Sequence, residues 1–221
     1  THLTLGTIGV NLTLQPNTAA LTSGFVKYYE PGVTWTEQSS GPTSEFFGLT
    51  FGNNTFVKVG EIGTILTSSD GITWNERTSG ISKTLNGVTY GNNTFLAVGQ
   101  SGKIVRSTDN GSSWSKSTSG VSNPLNGVTF GNDTFVGVGS TGRTVRSTND
   151  GSSWDNSTVP SPYPSLYGVS FGNNNFVGVG DSGKIVRSTD NGTTWSNSTS
   201  GITTDLNGVT FGNNTFVAVG D

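Results

Sequence analysis

Short apolar runs, separated by clusters of Gly, Asn, Asp and Ser, set the pattern of most of the chain. In its clearest stretch, Leu85-Asn86-Gly87-Val88-Thr89-Tyr90-Gly91 is followed by Thr94-Phe95-Leu96-Ala97-Val98-Gly99, Lys103-Ile104-Val105-Arg106-Ser107 and Ser113-Trp114-Ser115-Lys116-Ser117. Each run is bounded by turn formers, and most are rich in β-branched and aromatic residues, which predicts four hairpin-linked strands and no helix. Gly91-Asn92-Asn93 and Asp109-Asn110-Gly111 tolerate positive φ at little steric cost and suit the turns between them.

The quartet recurs. Tryptophans stand at 35, 74, 114, 154 and 195, and Gly48, Gly87, Gly127, Gly168 and Gly208 keep almost the same period of about 40 residues. A repeating four-stranded meander of that length is the signature of a β-propeller blade, and a stacked β-solenoid would have shorter coils. The expected fold is all-β, a five-bladed β-propeller of four-stranded antiparallel blades over residues 24–221. The last unit stops after two strands, while residues 24–35 align without a gap on residues 184–195. A two-plus-two blade from both termini is therefore expected to close the ring and remove exposed sheet edges.

Residues 1–23 are surplus to the five blades and form an expected N-terminal β segment. Ile8, Val10, Leu12 and Leu14 alternate with Gly9, Asn11 and Thr13, a one-faced strand pattern, and the opposite register of Leu3 and Leu5 predicts a bend near Gly6. An alternating strand without a partner is a liability. These four apolar residues are accordingly candidate assembly residues, packing on their own blades or adding a strand to a neighbouring molecule.

Composition narrows the chemistry. Hydrophobic residues make up 30% and charged residues 11%, with 33 Gly and 22 Asn, so helix formers are scarce while a packed core remains attainable. A net charge of −3 with 11 Lys plus Arg gives no basic footprint for nucleic acid, and no apolar run is long enough to span a bilayer. The absence of Cys and the lone His2 disfavour disulfides, thiolate metal sites and a Ser-His-Asp triad, and no metal or cofactor is expected. The chain starts at Thr1 and has no Met, which reads as removal of an initiator residue and predicts a secreted or cell-surface protein.

Ser107 through Trp114 and Ser188 through Trp195 read Ser-x-Asp-x-Gly-x-x-Trp, and Ser147 through Trp154 has Asn149 in place of Asp. Ser68 through Trp74 is one residue shorter, and Tyr28 through Trp35 keeps the Gly and Trp with Glu30 for Asp. In these residues the chain resembles the Asp-box, or bacterial neuraminidase repeat, propellers of bacterial surface proteins, sialidases and photosystem-assembly factors. The resemblance implies that Asp70, Asp109, Asn149, Asp190 and Glu30 bind backbone amides in the hairpin between third and fourth strands. It also implies that Trp35, Trp74, Trp114, Trp154 and Trp195 pack in the core. Such boxes are structural; calcium would need about six to eight oxygens where each loop offers one carboxylate.

Sialidases of this kind use an arginine triad and a Tyr-Glu pair, and five-bladed arabinan-cleaving enzymes use three inward acids. Here Arg106, Arg146 and Arg187 share one repeat position and are spread around the ring as solvated strand residues, and Glu30, Glu37, Glu45, Glu61 and Glu76 share none. A glycosidase site cannot be assembled, and no catalytic residue is expected.

Positions that differ between repeats are free for other use. The loops between second and third strands vary, and with Val159-Pro160-Ser161-Pro162-Tyr163-Pro164-Ser165 they mark one face, on which Glu61, Gln100, Ser140, Asp181 and Tyr163 are candidate ligand residues. Nine Asn-x-Ser/Thr sequons are present, close to what composition alone gives. Those in hairpin turns, Asn53, Asn92, Asn132 and Asn213, are best placed to carry sugar. The expected function is a non-catalytic extracellular structural or interaction propeller that assembles with itself or a surface partner through its N-terminal strands, in a surface layer or filament. The alternative is a repeat lectin binding glycans between blades or on the variable face.

Overall fold

The computed structural model describes residues 44–221 in full and, before them, the backbone of four short strands. These are β1 (Leu3–Leu5), β2 (Val10–Leu12), β3 (Phe25–Tyr28) and β4 (Thr36–Ser39). Four four-stranded antiparallel sheets follow. They comprise β5 (Phe46–Gly52), β6 (Thr55–Gly60), β7 (Ile65–Ser68) and β8 (Asn75–Arg77); then β9 (Leu85–Gly91), β10 (Thr94–Gly99), β11 (Lys103–Ser107) and β12 (Ser115–Thr118). The third is β13 (Leu125–Gly131), β14 (Thr134–Gly139), β15 (Arg143–Ser147) and β16 (Asp155–Thr158), and the fourth β17 (Leu166–Gly172), β18 (Asn175–Gly180), β19 (Lys184–Ser188) and β20 (Ser196–Ser198). The chain ends in a hairpin, β21 (Leu206–Gly212) and β22 (Thr215–Gly220).

Turn chemistry sets this register. In the first hairpin of each blade both central residues have positive φ, as at Asn92 (45°) and Asn93 (55°), the turn whose twist matches the flanking strands. Near the start of each first strand the ladder slips by one residue, as between Leu125 and Gly127 opposite Val138 and Gly139. The slip leaves one extra residue per blade, at positions 47, 86, 126, 167 and 207. Such bulges re-aim a side chain away from the sheet's alternation.

The sheets stack face to face, with first strands packed in the series β5, β9, β13, β17, β21. Between blades, Val57, Val59 and Phe95 are fully buried with Val88 and Tyr90, and the pattern repeats with Leu96, Val98 and Phe135 around Val128 and Phe130. The aligned apolar alternation of neighbouring strands produces this core. Each fully buried Phe or Leu contributes about 1.5–3 kcal/mol.

The expected four-stranded blades are present, but the expected two-plus-two blade is not among the described sheets. β3 pairs with β4, and β21 with β22, as separate two-stranded sheets. The end strands are correspondingly uncovered: Phe51 on β5 is 54% exposed and Val219 on β22 is 62% exposed. The N-terminal segment contains a hairpin, with Leu3 opposite Leu12 and Leu5 opposite Val10, so two of the expected assembly residues pair within the chain. Ile8, Leu14, Glu30 and Trp35 lie outside the described residues.

Candidate functional site

One face is occupied by the Ser-x-Asp loops and the Asn turns, and its polar groups are spent on structure. Asp109 Oδ1 accepts the Ser113 N–H at 2.9 Å and the Ser107 hydroxyl at 2.7 Å, while its Oδ2 accepts the Ser113 hydroxyl at 2.5 Å. Asp190 repeats this with Thr194 and Ser188, while Asn149 Oδ1 accepts the Ser153 N–H and the Ser147 hydroxyl and its Nδ2 donates to Ser153 Oγ at 2.8 Å. In the shorter loop Asp70 Oδ1 takes the Ile72 and Thr73 N–H groups at 2.8 and 2.7 Å. Donors aimed at the charged form depress a carboxyl pKa. The Thr73 and Ile72 amides hold Asp70 at about 2, and the Ser113 hydroxyl and amide do the same for Asp109. Burial raises Asp190, but Thr194 and Ser188 outweigh it and the group is held low.

These loops also join blades. Trp154 Nε1 donates to Ser117 Oγ of the preceding blade at 2.9 Å, and Asn92 Nδ2 donates to Asp150 Oδ1 of the next at 2.7 Å. Arg106 Nη1 donates to Asp150 O at 2.7 Å and Ser152 Oγ at 2.8 Å, and Arg146 reaches Asn191 O and Thr193 Oγ1 in the same way. The arginines expected as solvated strand residues are thus inter-blade clamps at two positions. Arg187 donates within its own blade, to Asn175 Oδ1 at 2.8 Å. Trp195 is buried; Trp74, Trp114 and Trp154 are half-buried. Asn53, Asn92, Asn132 and Asn213 are exposed at the first turn position, with Asn92 and Asn132 tied by their amides to the next blade.

The opposite face carries a groove of about 550 Å³. Its floor is built by bulge residues Asn86, Asn126 and Tyr167, its rim by Gln100, Ser101 and Ser140 from second-to-third-strand loops, and its remaining wall by Ser122, Pro124 and Ser165 from blade connections. Asn86 Nδ2 donates to Leu125 O at 2.8 Å and Asn126 Nδ2 to Leu166 O at 2.9 Å, fixing both amides across a blade boundary. The Tyr167 hydroxyl donates to Asp181 Oδ1, whose Oδ2 accepts the Ser165 N–H at 2.7 Å. Asp181 favours the protonated phenol, so Tyr167 is pushed up to about 12 and stays a donor. Burial raises Asp181, and the Tyr167 hydroxyl and Ser165 amide outweigh it and keep the carboxylate charged.

Of the five candidate ligand residues, the structure brings Gln100 and Ser140 into this groove and sets Asp181 behind its wall. Tyr163 is exposed beside Gly142, and Glu61 stands on the first blade, its carboxylate 3.5 Å from the Glu45 N–H. Loop variability missed Asn86, Asn126 and Tyr167 because they lie inside a strand that otherwise repeats. A polar or aromatic residue wedged between Leu and Gly, out of phase with the alternation, was the available signal.

No family model matches the chain, and comparison with curated proteins gives no match. Among solved structures it is similar to YCF48 from Cyanidioschyzon merolae, at 21% identity and a TM-score of 0.59 over 87% of this chain and 65% of that one. It is also similar to a structure of YCF48 bound to D1 peptide, at 18% identity and a TM-score of 0.57 over 77% of this chain and 58% of that one. The chain therefore spans less than two thirds of either relative, and the likeness establishes a β-propeller type of fold.

Proposed function

We propose that this chain is a non-catalytic interaction scaffold, a propeller of the Asp-box type whose variable-loop face binds an extended segment of a partner polypeptide. The groove over Asn86, Asn126 and Tyr167 carries this reading. It offers the Asn86 and Asn126 amides, held by bonds across blades, and the Tyr167 ring, whose hydroxyl is fixed by Asp181 of its own blade, a mix that orients a peptide backbone without reacting with it. The peptide held by a propeller of similar fold supports the same reading. Ring closure by β3, β4, β21 and β22 into a fifth blade belongs to the proposal; the matching sequence of residues 24–35 and 184–195 supports it.

A lectin with one site per cleft would need its repeated aromatics free. Tyr90, Phe130, Phe171 and Phe211 instead pack against glycines of neighbouring blades.

The test is selection of a displayed random peptide library on the full chain, followed by binding assays with Gln100→Arg/Ser140→Arg, two rim changes that fill the groove. Selected peptides are expected to bind the parent at micromolar affinity and to lose at least about tenfold on the variant. Failure to enrich any peptide, or equal binding to the variant, contradicts the proposal; saturable binding on a glycan array, lost in the same variant, favours the lectin.

A further inference from the structure

The groove repeats one device and breaks it once. In the second and third blades the bulge residue is Asn86 and Asn126, each spending its Nδ2 on a main-chain carbonyl of the next blade, Leu125 O and Leu166 O. A carbonyl only accepts, so each amide is fixed with its nitrogen toward the neighbour, and its Oδ1 receives no hydrogen bond among the described residues. In the fourth blade the same position is Tyr167, whose hydroxyl bonds to Asp181 of its own blade instead of to the next. Asp181 in turn stands at the loop position that Gln100 and Ser140 occupy in the two blades before. The fold does not call for this exchange, since the second and third blades are joined to their neighbours without it.

The exchange brings charge to the groove. Asp181 is held by two neutral donors, the Tyr167 hydroxyl and the Ser165 N–H, and no Lys or Arg among the described residues forms an ion pair with it. The residues lining the groove include no Lys or Arg either. Asp205, whose Oδ1 accepts the Ser182 N–H at 2.7 Å, adds a second negative charge that acts on Tyr167. A phenol that donates to a carboxylate is polarised by it, which enriches the ring face that attracts cations. The Asn126 Oδ1 beside it is an acceptor with no donor of its own. Gln100 and Ser140 on the rim can turn to either polarity.

We propose that the groove selects a partner segment carrying a lysine or arginine, the cationic head seated against the Tyr167 ring and Asn126 Oδ1. This rests on the reading of the groove as a peptide site and adds the residue type that it recognises. Asp181 acts from behind the wall as a positioning residue, fixing the Tyr167 hydroxyl and supplying the counter-charge through the phenol. An acidic segment meets only like charge here, and an uncharged one leaves Asp181 without a counter-ion.

Selection of a displayed random peptide library on the full chain, followed by paired synthetic peptides in which the basic residue is kept or replaced by glutamine, tests this. Selected peptides should share a Lys or Arg, and its replacement should weaken binding by about tenfold. Asp181→Asn leaves an acceptor for the Tyr167 hydroxyl and removes the charge; it should weaken the basic peptide by about fivefold and leave its glutamine partner unchanged. Circular dichroism checks that this variant folds. The rim pair Ser140→Glu and Ser140→Gln, alike in shape, makes the same test without touching Asp181: the basic peptide should bind the Glu variant more tightly than the Gln variant. The inference is overturned if selected peptides lack a basic residue, if the glutamine peptide binds as well as its parent, if folded Asp181→Asn weakens both peptides equally, or if the two Ser140 variants bind alike. Peptides indifferent to charge that are still lost on Gln100→Arg/Ser140→Arg would overturn this inference and leave the peptide groove standing, whereas failure to enrich any peptide overturns both.

Discussion

The Phe171 ring lies against Gly131 of the preceding blade so closely that a Cβ there would sit 2.1 Å from Phe171 Cγ. Blade spacing is thereby set by a missing methyl group, which makes the glycine an interface residue despite its place at the end of a strand. Gly131→Ala should force the neighbouring strand outward and cost about 1–3 kcal/mol, the range for overpacking a tight contact. Thermal denaturation of Gly131→Ala beside the parent chain checks this.

Arg106 and Arg187 occupy the same repeat position but differ in what they hold. Arg106→Met removes two bonds to the following blade and should destabilise by about 1–3 kcal/mol. Arg187→Met loses one exposed contact inside its own blade and should stay within about 0.5 kcal/mol. Urea unfolding with a constant slope distinguishes them.

Asp109 is held at about 2 in the folded chain against an ordinary value of 3.8. A carboxyl depressed by folding adds stability above its unfolded pKa, and that contribution disappears as pH falls from about 4 through about 2. Asp109→Asn, which copies the Asn149 loop, should flatten the acid limb of the stability curve between those values. An unchanged acid limb would show that the Asp109 bonds carry no linkage.

Lys58 works at the other end of the scale. Burial lowers it from 10.5 to about 8, so between those values the unfolded chain binds more protons and stability should rise with pH. Lys58→Met should remove that rise. Chemical denaturation at pH 7.5, 9 and 10.5 for both chains provides the comparison.

Much of this architecture was legible in the sequence because its information is local. Asn92-Asn93 and the loops from Ser107 to Trp114 encode their turns within a few residues, and the alternation in Thr94-Phe95-Leu96-Ala97-Val98 fixes the buried face. What resisted reading depends on which copy of the repeat lies next door. Identical arginines at 106 and 187 hold different partners, the first the Ser-x-Asp loop of the next blade and the second Asn175 of its own, and Phe51 is exposed where Phe130 is covered. The groove was hidden for a related reason: Asn86, Asn126 and Tyr167 look like strand residues until the bulge turns them outward, and it takes three blades to bring them together.

The most direct test of the scaffold reading is a nuclear magnetic resonance titration of the labelled chain with a selected peptide, following side-chain amide signals. Saturable shifts at Asn86, Gln100 and Asn126, with the turn amides of Asn53, Asn92, Asn132 and Asn213 unmoved, are the predicted result. Shifts confined to the turn amides, or absent from the groove at saturating peptide, would contradict it.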